Sequence, residues 1–230
     1  MARISPQHLV AQMITSASAR ANPPCELSFS VPLPGLLENS ISLPATISEP
    51  RRSLLEVIHA RRSGGLRPGP IPVNALSALL STNFDVLLQK AFGPHSPSPA
   101  IIPILWNVTG IPGGVFRYRS EDHRLLPIPT NDSTSRLHAL FTQREHQSAS
   151  AALVFLAPMS AWLARGERGY RASALQIGMI TDAIYLAAEL EGLTYSASGG
   201  FPPASMDAAL GLDGVTYTAF FSFVIGGLRR

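Results

Sequence analysis

Three consecutive polar side chains, Arg61, Arg62 and Ser63, have the chemistry to hold a phosphate. Two guanidinium forks offer charge-assisted, bidentate hydrogen bonds to a dianion. The serine hydroxyl adds a short donor. The same three residue types recur at Arg51, Arg52 and Ser53, so the string alone does not choose its place. A solvated Arg pair closing a helix, favoured by the helix dipole, is the alternative reading. Gly199 and Gly200 form a second candidate. Lacking a Cβ, they allow backbone N–H groups close to a ligand; a flexible loop is the alternative. Metal chemistry finds no support. The six histidines show no HxH or HxxxH spacing, and Cys25 is the sole cysteine.

The elements around these residues follow from capping, periodicity and proline. Ser53 is an N-cap, and Glu56 three residues later completes a capping box. The helix so begun has Leu54, Leu55, Val57 and Ile58 on its apolar side and is expected to end at Gly64-Gly65. A second helix begins at Asn74 or just before. The Pro-rich stretch 92–103 reads as loop, followed by two strands, LWNVTG and VFRYR, joined through Pro112-Gly113-Gly114. Residues 133–147 have a helical pattern, and AALVFLAP from Ala151 reads as a buried strand. The strongest helix spans about 167–193 and is apolar around most of its circumference, which marks a central helix. LTYSASGGF is extended, a small helix starts at Ser205 or Asp207, and VTYTAFFSFVIG is the last strand. Helices mixed with separated strands, without βαβ repetition, make the fold class α+β.

The chain has 230 residues, enough for one sizeable core. We expect a loosely ordered leader over 1–25 and one domain over 26–230, with a Pro-rich extended arm at 26–50. An arm this apolar needs a surface to lie on, such as a partner subunit. The composition is 46% hydrophobic and only 14% charged, which also suits a surface buried against another subunit. Net charge is +3, and Lys90 is the sole lysine, so Arg supplies nearly all the positive charge. No basic run reaches the density of a nucleic-acid patch. No uninterrupted apolar stretch reaches 18 residues, so no membrane span is expected. A single cysteine fits a reducing cytoplasm.

Three segments together resemble the nitroreductase-like flavoproteins, with the pattern of the SagB-type branch, the azoline dehydrogenases of peptide heterocycle pathways. The first is ARRSGGLRPGPIPVNALSALL, in which a helix precedes Arg61-Arg62-Ser63 and a Pro-then-Leu-rich helix follows. That context selects Arg61 over Arg51. The second is SPSPAIIPILWNVTGIPGGVFRYRSEDHRLLPI, where Gly110, Pro112, Gly114, Phe116, Tyr118, His123 and Leu125 keep the branch spacing. The third runs from Arg165 through the central helix to Gly199-Gly200-Phe201 and the last strand.

The resemblance implies an intertwined homodimer with a nitroreductase-like fold and FMN as cofactor. Arg61, Arg62, Ser63 and Arg229 would meet the flavin phosphate end. Gly199 and Gly200 would approach the ring, and Ser98 would reach the flavin from the other subunit. The implied reaction is oxidation of a peptide azoline to an azole, with a cyclodehydratase or peptide synthetase as partner. An NAD(P)H-dependent reductase of another small substrate, or a catalytically degenerate subunit of a modifying complex, are the alternatives. Several positions depart from the branch. Its Lys-Tyr pair aligns with Ala164-Arg165, and its Glu-x-Gly-His with Gln176, Ile177, Gly178 and Met179. Its Gln-Asn aligns with Asp182-Ala183, its Pro-Ser-x-Gly with Pro97, Ser98, Pro99 and Ala100, and an expected Arg with Gly65. No catalytic residue is assigned. Glu167, Arg168 and Tyr170 stand nearby, and Glu167 reads better as a charge at a helix N-terminus.

Overall fold

The computed structural model describes residues 38–45, 52–81, 84–93, 96–130 and 134–229. The expected leader and most of the expected arm lie outside these residues. The centre is a seven-stranded sheet in the order β1-β4-β3-β2-β5-β7-β6. Its strands are β1 (Ile41–Ser42), β2 (Ala100–Leu105), β3 (Gly114–Arg119), β4 (Arg124–Pro127), β5 (Ala151–Ala157), β6 (Leu193–Ser198) and β7 (Thr218–Leu228). Every neighbouring pair is antiparallel. The helices are α1 (Leu54–Ala60), α2 (Val73–Leu80), α3 (Phe84–Phe92), α4 (Thr134–Ala139), α5 (Met159–Leu163), α6 (Glu167–Leu190) and α7 (Pro203–Leu210), with a 3-10 turn at Arg144–Ser148.

Strand β5 shows why helices cover both faces. All seven of its residues are buried, and successive side chains point to opposite faces. Leu153 and Phe155 join the core under α2, α3 and α6. Ala152, Val154 and Leu156 join a second core with Leu137, Phe141, Met206 and Leu210 from α4, its following turn and α7. The α+β class and the antiparallel sheet flanked by helices are as expected.

Several local expectations need correction. Strand β2 begins at Ala100 inside the stretch read as loop, includes Pro103 and ends at Leu105, so only the first residue of the expected strand LWNVTG belongs to it. Pro103 faces Leu153 of β5, while β3 pairs only with Ile104 and Leu105, so no ladder bond to β3 needs the missing N–H. The helical pattern at 133–147 breaks into α4 and the 3-10 turn. Thr142 causes the break by bonding the Gly200 carbonyl through both its N–H (2.8 Å) and its hydroxyl (3.0 Å). Helix α7 starts at Pro203, with proline in its first turn. Helix α1 has the expected Ser53 capping box but stops at Ala60.

The central helix α6 buries one stripe, Ile177, Ile180, Ile184 and Ala188, against the sheet. Its apolar circumference is not buried all round: Leu175 is 62% and Leu190 42% exposed.

Candidate functional site

The end of α1 and the edge strand β6 build the site together. After Ala60 the chain turns out of the helix and runs beside β6. The Gly64 N–H donates to the Tyr195 carbonyl at 2.8 Å, which is why the helix does not continue to Gly64. Gly64 and Gly65 both have positive φ, +96° and +63°, so glycine makes this path accessible. Further on, the strap crosses the end of β7. A Cβ on Gly226 would stand 2.6 Å from the Arg67 carbonyl oxygen and 2.5 Å from Thr194 Oγ1. Gly226 therefore admits the strap. Sequence reasoning missed this residue, whose requirement comes from a segment far away in the chain.

This path brings Arg61, Arg62 and Ser63 onto one surface with residues of α6, β6 and β7. The Arg61 guanidinium lies over the Tyr185 ring, 5.1 Å from its centroid. Ser63 Oγ is 3.1 Å from the Tyr185 hydroxyl and 3.4 Å from Ser196 Oγ. Arg62 Nη1 donates to the carbonyls of His59 and Arg61, both at 2.9 Å. Arg229, at the end of β7, donates from Nη2 to the Arg62 carbonyl at 3.3 Å. Its Nη1 donates to Glu189 Oε2 at 2.6 Å, and its guanidinium sits 4.9 Å above the Tyr195 ring. Arg52 donates to the other oxygen of Glu189 at 3.2 Å. Two guanidiniums, Arg52 and Arg229, thus meet one buried carboxylate, while those of Arg61 and Arg62 lie on the adjoining turn. Arg52 belongs to the upstream copy of the motif, and Glu189, Tyr185 and Tyr195 carry no motif signal. Helical spacing alone could have paired Tyr185 with Glu189, four residues apart on one face.

Gly199 continues the same edge. The Ala197 N–H donates to the Tyr185 hydroxyl at 3.1 Å, and the Tyr195 carbonyl accepts from Gly64. Alternate residues of β6 therefore turn their backbone groups away from β7; Gly199 follows directly on the end of the strand, and its carbonyl accepts from the Phe201 N–H at 2.9 Å. Gly199 lies three residues beyond Ser196, about 10 Å along the strand. The two glycines differ. A Cβ on Gly199 would meet nothing of the described chain closer than Phe221 at 3.6 Å. A Cβ on Gly200 would stand 2.8 Å from Ser198 Oγ and 2.9 Å from Thr142 Oγ1. Gly200 is required by the protein's own packing; Gly199 leaves space on its outward side.

Ser98 is not brought to this cluster within one chain. It precedes β2, and three strand spacings separate β2 from β6, about 14 Å. Ala164 and Arg165 lie between α5 and α6, and the Arg165 guanidinium stacks on Trp162, 5.1 Å from the ring centroid. Gln176 is fully buried, and neither of its amide atoms has a partner among the described residues. Tyr170 is 47% exposed, with its ring edge-on to Phe220 at 5.8 Å.

These residues fit an FMN. The guanidiniums and Ser63 supply donors for a phosphate. The exposed Gly199 has room beside it to meet a ring, and the separation between the two is one that a ribityl chain can bridge. Among the described residues, no group of three or more His, Cys, Asp or Glu could hold a metal ion. No helix among them is long and apolar enough to cross a membrane.

Comparison with known proteins agrees with this geometry at the level of the fold. A nitroreductase assigned in Anabaena variabilis superposes with a TM-score of 0.67 at 22% identity, over 82% of this chain. The match spans only 41% of that longer protein. A nitroreductase assigned in Ralstonia eutropha gives 0.60 at 21% identity, over 87% of this chain and 95% of its own. A chain of the E. coli microcin synthetase McbBCD complex with truncated pro-MccB17 bound gives 0.58 at 16% identity, over 99% of this chain and 95% of its own. No curated protein matches the sequence. The nitroreductase family model matches residues 95–227. That span includes Ser98, Gly199 and Gly200 and leaves out Arg61–Ser63 and Arg229. It covers more than half of the chain, and the chain belongs to the nitroreductase family.

Proposed function

We propose that this protein is an FMN-dependent oxidoreductase in which Arg61, Arg62, Ser63 and Arg229 bind the flavin phosphate. One observation carries this reading. Ser63 and Ser196, 133 residues apart, come within 3.4 Å, so that the Arg-Arg-Ser turn lies against the edge strand that leads into Gly199. Nitroreductases are typically FMN oxidoreductases, which supports the cofactor assignment. A bound FMN supplies two-electron hydride chemistry, while the protein supplies binding and orientation. The Arg61–Ser63 turn anchors the phosphate, and the stack of Arg61 on Tyr185 holds that turn against α6. The Gly199 N–H would donate to the ring, and the adjacent Gly200 fixes the turn through Thr142 and Ser198.

We further propose a homodimer in which the partner's copy of the Pro97-Ser98 loop completes the flavin site. The single chain leaves Leu54 (63%), Leu55 (65%) and Ile58 (50%) exposed on α1, besides Leu175 and Leu190 on α6. Apolar surface of this kind is rarely left uncovered.

For the substrate we propose a peptide azoline oxidised to an azole, in concert with a cyclodehydratase or peptide synthetase. The branch spacing at Gly110, Pro112, Gly114, Phe116 and Tyr118 supports this, as does the fold shared over nearly the whole chain with a component of a microcin synthetase complex. Azoline oxidation removes a hydride and a proton, and oxygen or another acceptor must then take the electrons. A second reading, an NAD(P)H-dependent reductase, is favoured by Ala164-Arg165 in place of Lys-Tyr. Purified protein incubated with FMN should be yellow. With an azoline peptide it should produce a mass loss of two units. NAD(P)H consumption without that loss selects the second reading, and protein that stays colourless overturns both.

A further inference from the structure

Glu189 has no place in the sequence motifs, yet it lies directly beneath the phosphate residues. It follows Tyr185 by one helical turn on the face of α6 turned towards the Arg61–Ser63 segment. Its side chain is 4% exposed, and both carboxylate oxygens are occupied. Oε2 accepts from the Tyr195 hydroxyl and from Arg229 Nη1, each at 2.6 Å. Oε1 accepts from Arg52 Nη1 at 3.2 Å. Arg229 carries the connection outward, because its second terminal nitrogen reaches the Arg62 carbonyl at 3.3 Å. One guanidinium fork therefore joins a buried carboxylate to the backbone of the Arg-Arg-Ser turn.

Two electrostatic effects oppose each other here. A carboxylate near a phosphate repels it, whereas a fixed guanidinium attracts it without first losing rotamer freedom. Arg52 and Arg229 together neutralise Glu189, which weakens the repulsion and leaves orientation as the dominant effect. We propose that Glu189 is a positioning residue of the flavin phosphate site, fixing Arg229 and through it the Arg62 carbonyl and the Arg61–Ser63 turn. This rests on the FMN reading above. Arg52, from the upstream Arg-Arg-Ser copy, holds the far oxygen of the same carboxylate.

Titration of the full-length apoprotein with FMN and with riboflavin tests the proposal. Riboflavin lacks the phosphate, so the ratio of the two affinities isolates phosphate recognition. Glu189→Gln should lower that ratio about tenfold. Arg229→Ala should lower it similarly, and the double variant should fall no further than Arg229→Ala alone. A purely structural role would weaken both ligands alike and leave the ratio at the wild-type value. That result, a higher ratio, or effects that multiply in the double variant would overturn the proposal. Should Glu189→Gln fail to fold, Arg229→Lys carries the test. Lysine keeps the charge but has no fork to bridge Glu189 and the Arg62 carbonyl, so its ratio should fall below that of wild type; a wild-type ratio would overturn the proposal. Wild-type protein that binds neither flavin sinks the FMN reading and the positioning role with it. A strong wild-type preference for FMN that survives Glu189→Gln sinks the positioning role alone.

Discussion

A carboxylate buried as deeply as Glu189 stays ionised only if its partners compensate for lost hydration. Burial pushes its pKa up, but the Tyr195 hydroxyl, Arg52 and Arg229 outweigh that and hold it below the ordinary value of 4.5. Burial and the same carboxylate push the Tyr195 phenol up to about 12, which keeps it a donor. A lowered carboxyl pKa stabilises the fold above the ordinary carboxylate range, and that contribution disappears as pH falls through the folded-state pKa. Glu189→Gln should therefore be less stable than wild type at neutral pH, with the gap closing in acid. Thermal unfolding across pH 7 to 3 measures this, and a gap independent of pH would contradict it. Gln176 is the opposite case, since its buried amide has no partner among the described residues to offset desolvation. Gln176→Met should raise stability by about 1 kcal/mol, because removing an unpaired buried polar group relieves its penalty; a lower melting temperature would refute this. Arg61, Arg62 and Ser63 stand out in the sequence as phosphate candidates through guanidinium and hydroxyl chemistry, and the flanking helices, not the residue types, set them apart from Arg51, Arg52 and Ser53. Glu189, Tyr185 and Tyr195 were not, because their roles arise from contacts between α6, β6 and β7.

The edge strand β6 and the strap beside it decide how the site is presented. Gly199 and Gly200 look alike in sequence, and the contacts of an added Cβ separate them. Gly200→Ala should destabilise the fold by about 1–3 kcal/mol through overpacking against Ser198 and Thr142. Gly199→Ala should leave stability nearly unchanged while weakening flavin binding. Melting temperature and FMN titration on the two variants check this, and equal stability losses would contradict it. The capping box at Ser53, the buried strand β5 and the central helix α6 were legible because each rests on local chemistry or periodicity. The start of β2, the break near Thr142 and the early end of α1 were not. Each is set by a distant partner: strand β5 opposite Ala100–Leu105, the Gly200 carbonyl, and the Tyr195 carbonyl.

Among the described residues, apolar side chains of α1 and α6 are exposed, while core residues pack on both faces of the sheet. The proposed homodimer accounts for that surface and for Ser98, which one chain cannot bring to β6. Leu175→Glu should shift the protein towards monomer in sedimentation velocity and lower flavin occupancy in parallel; a monomeric wild type with full occupancy would contradict the shared site. The α+β class could be read from the mixture of elements, whereas the strand order depends on pairings between residues far apart in sequence.

The most direct test of the flavin assignment is FMN reconstitution of the wild type and of the Arg61→Ala/Arg62→Ala double variant, read by visible absorbance after gel filtration. The wild type should retain one flavin per chain, and the double variant should emerge colourless with its fold intact. Retention of FMN by the double variant at wild-type affinity would contradict the account.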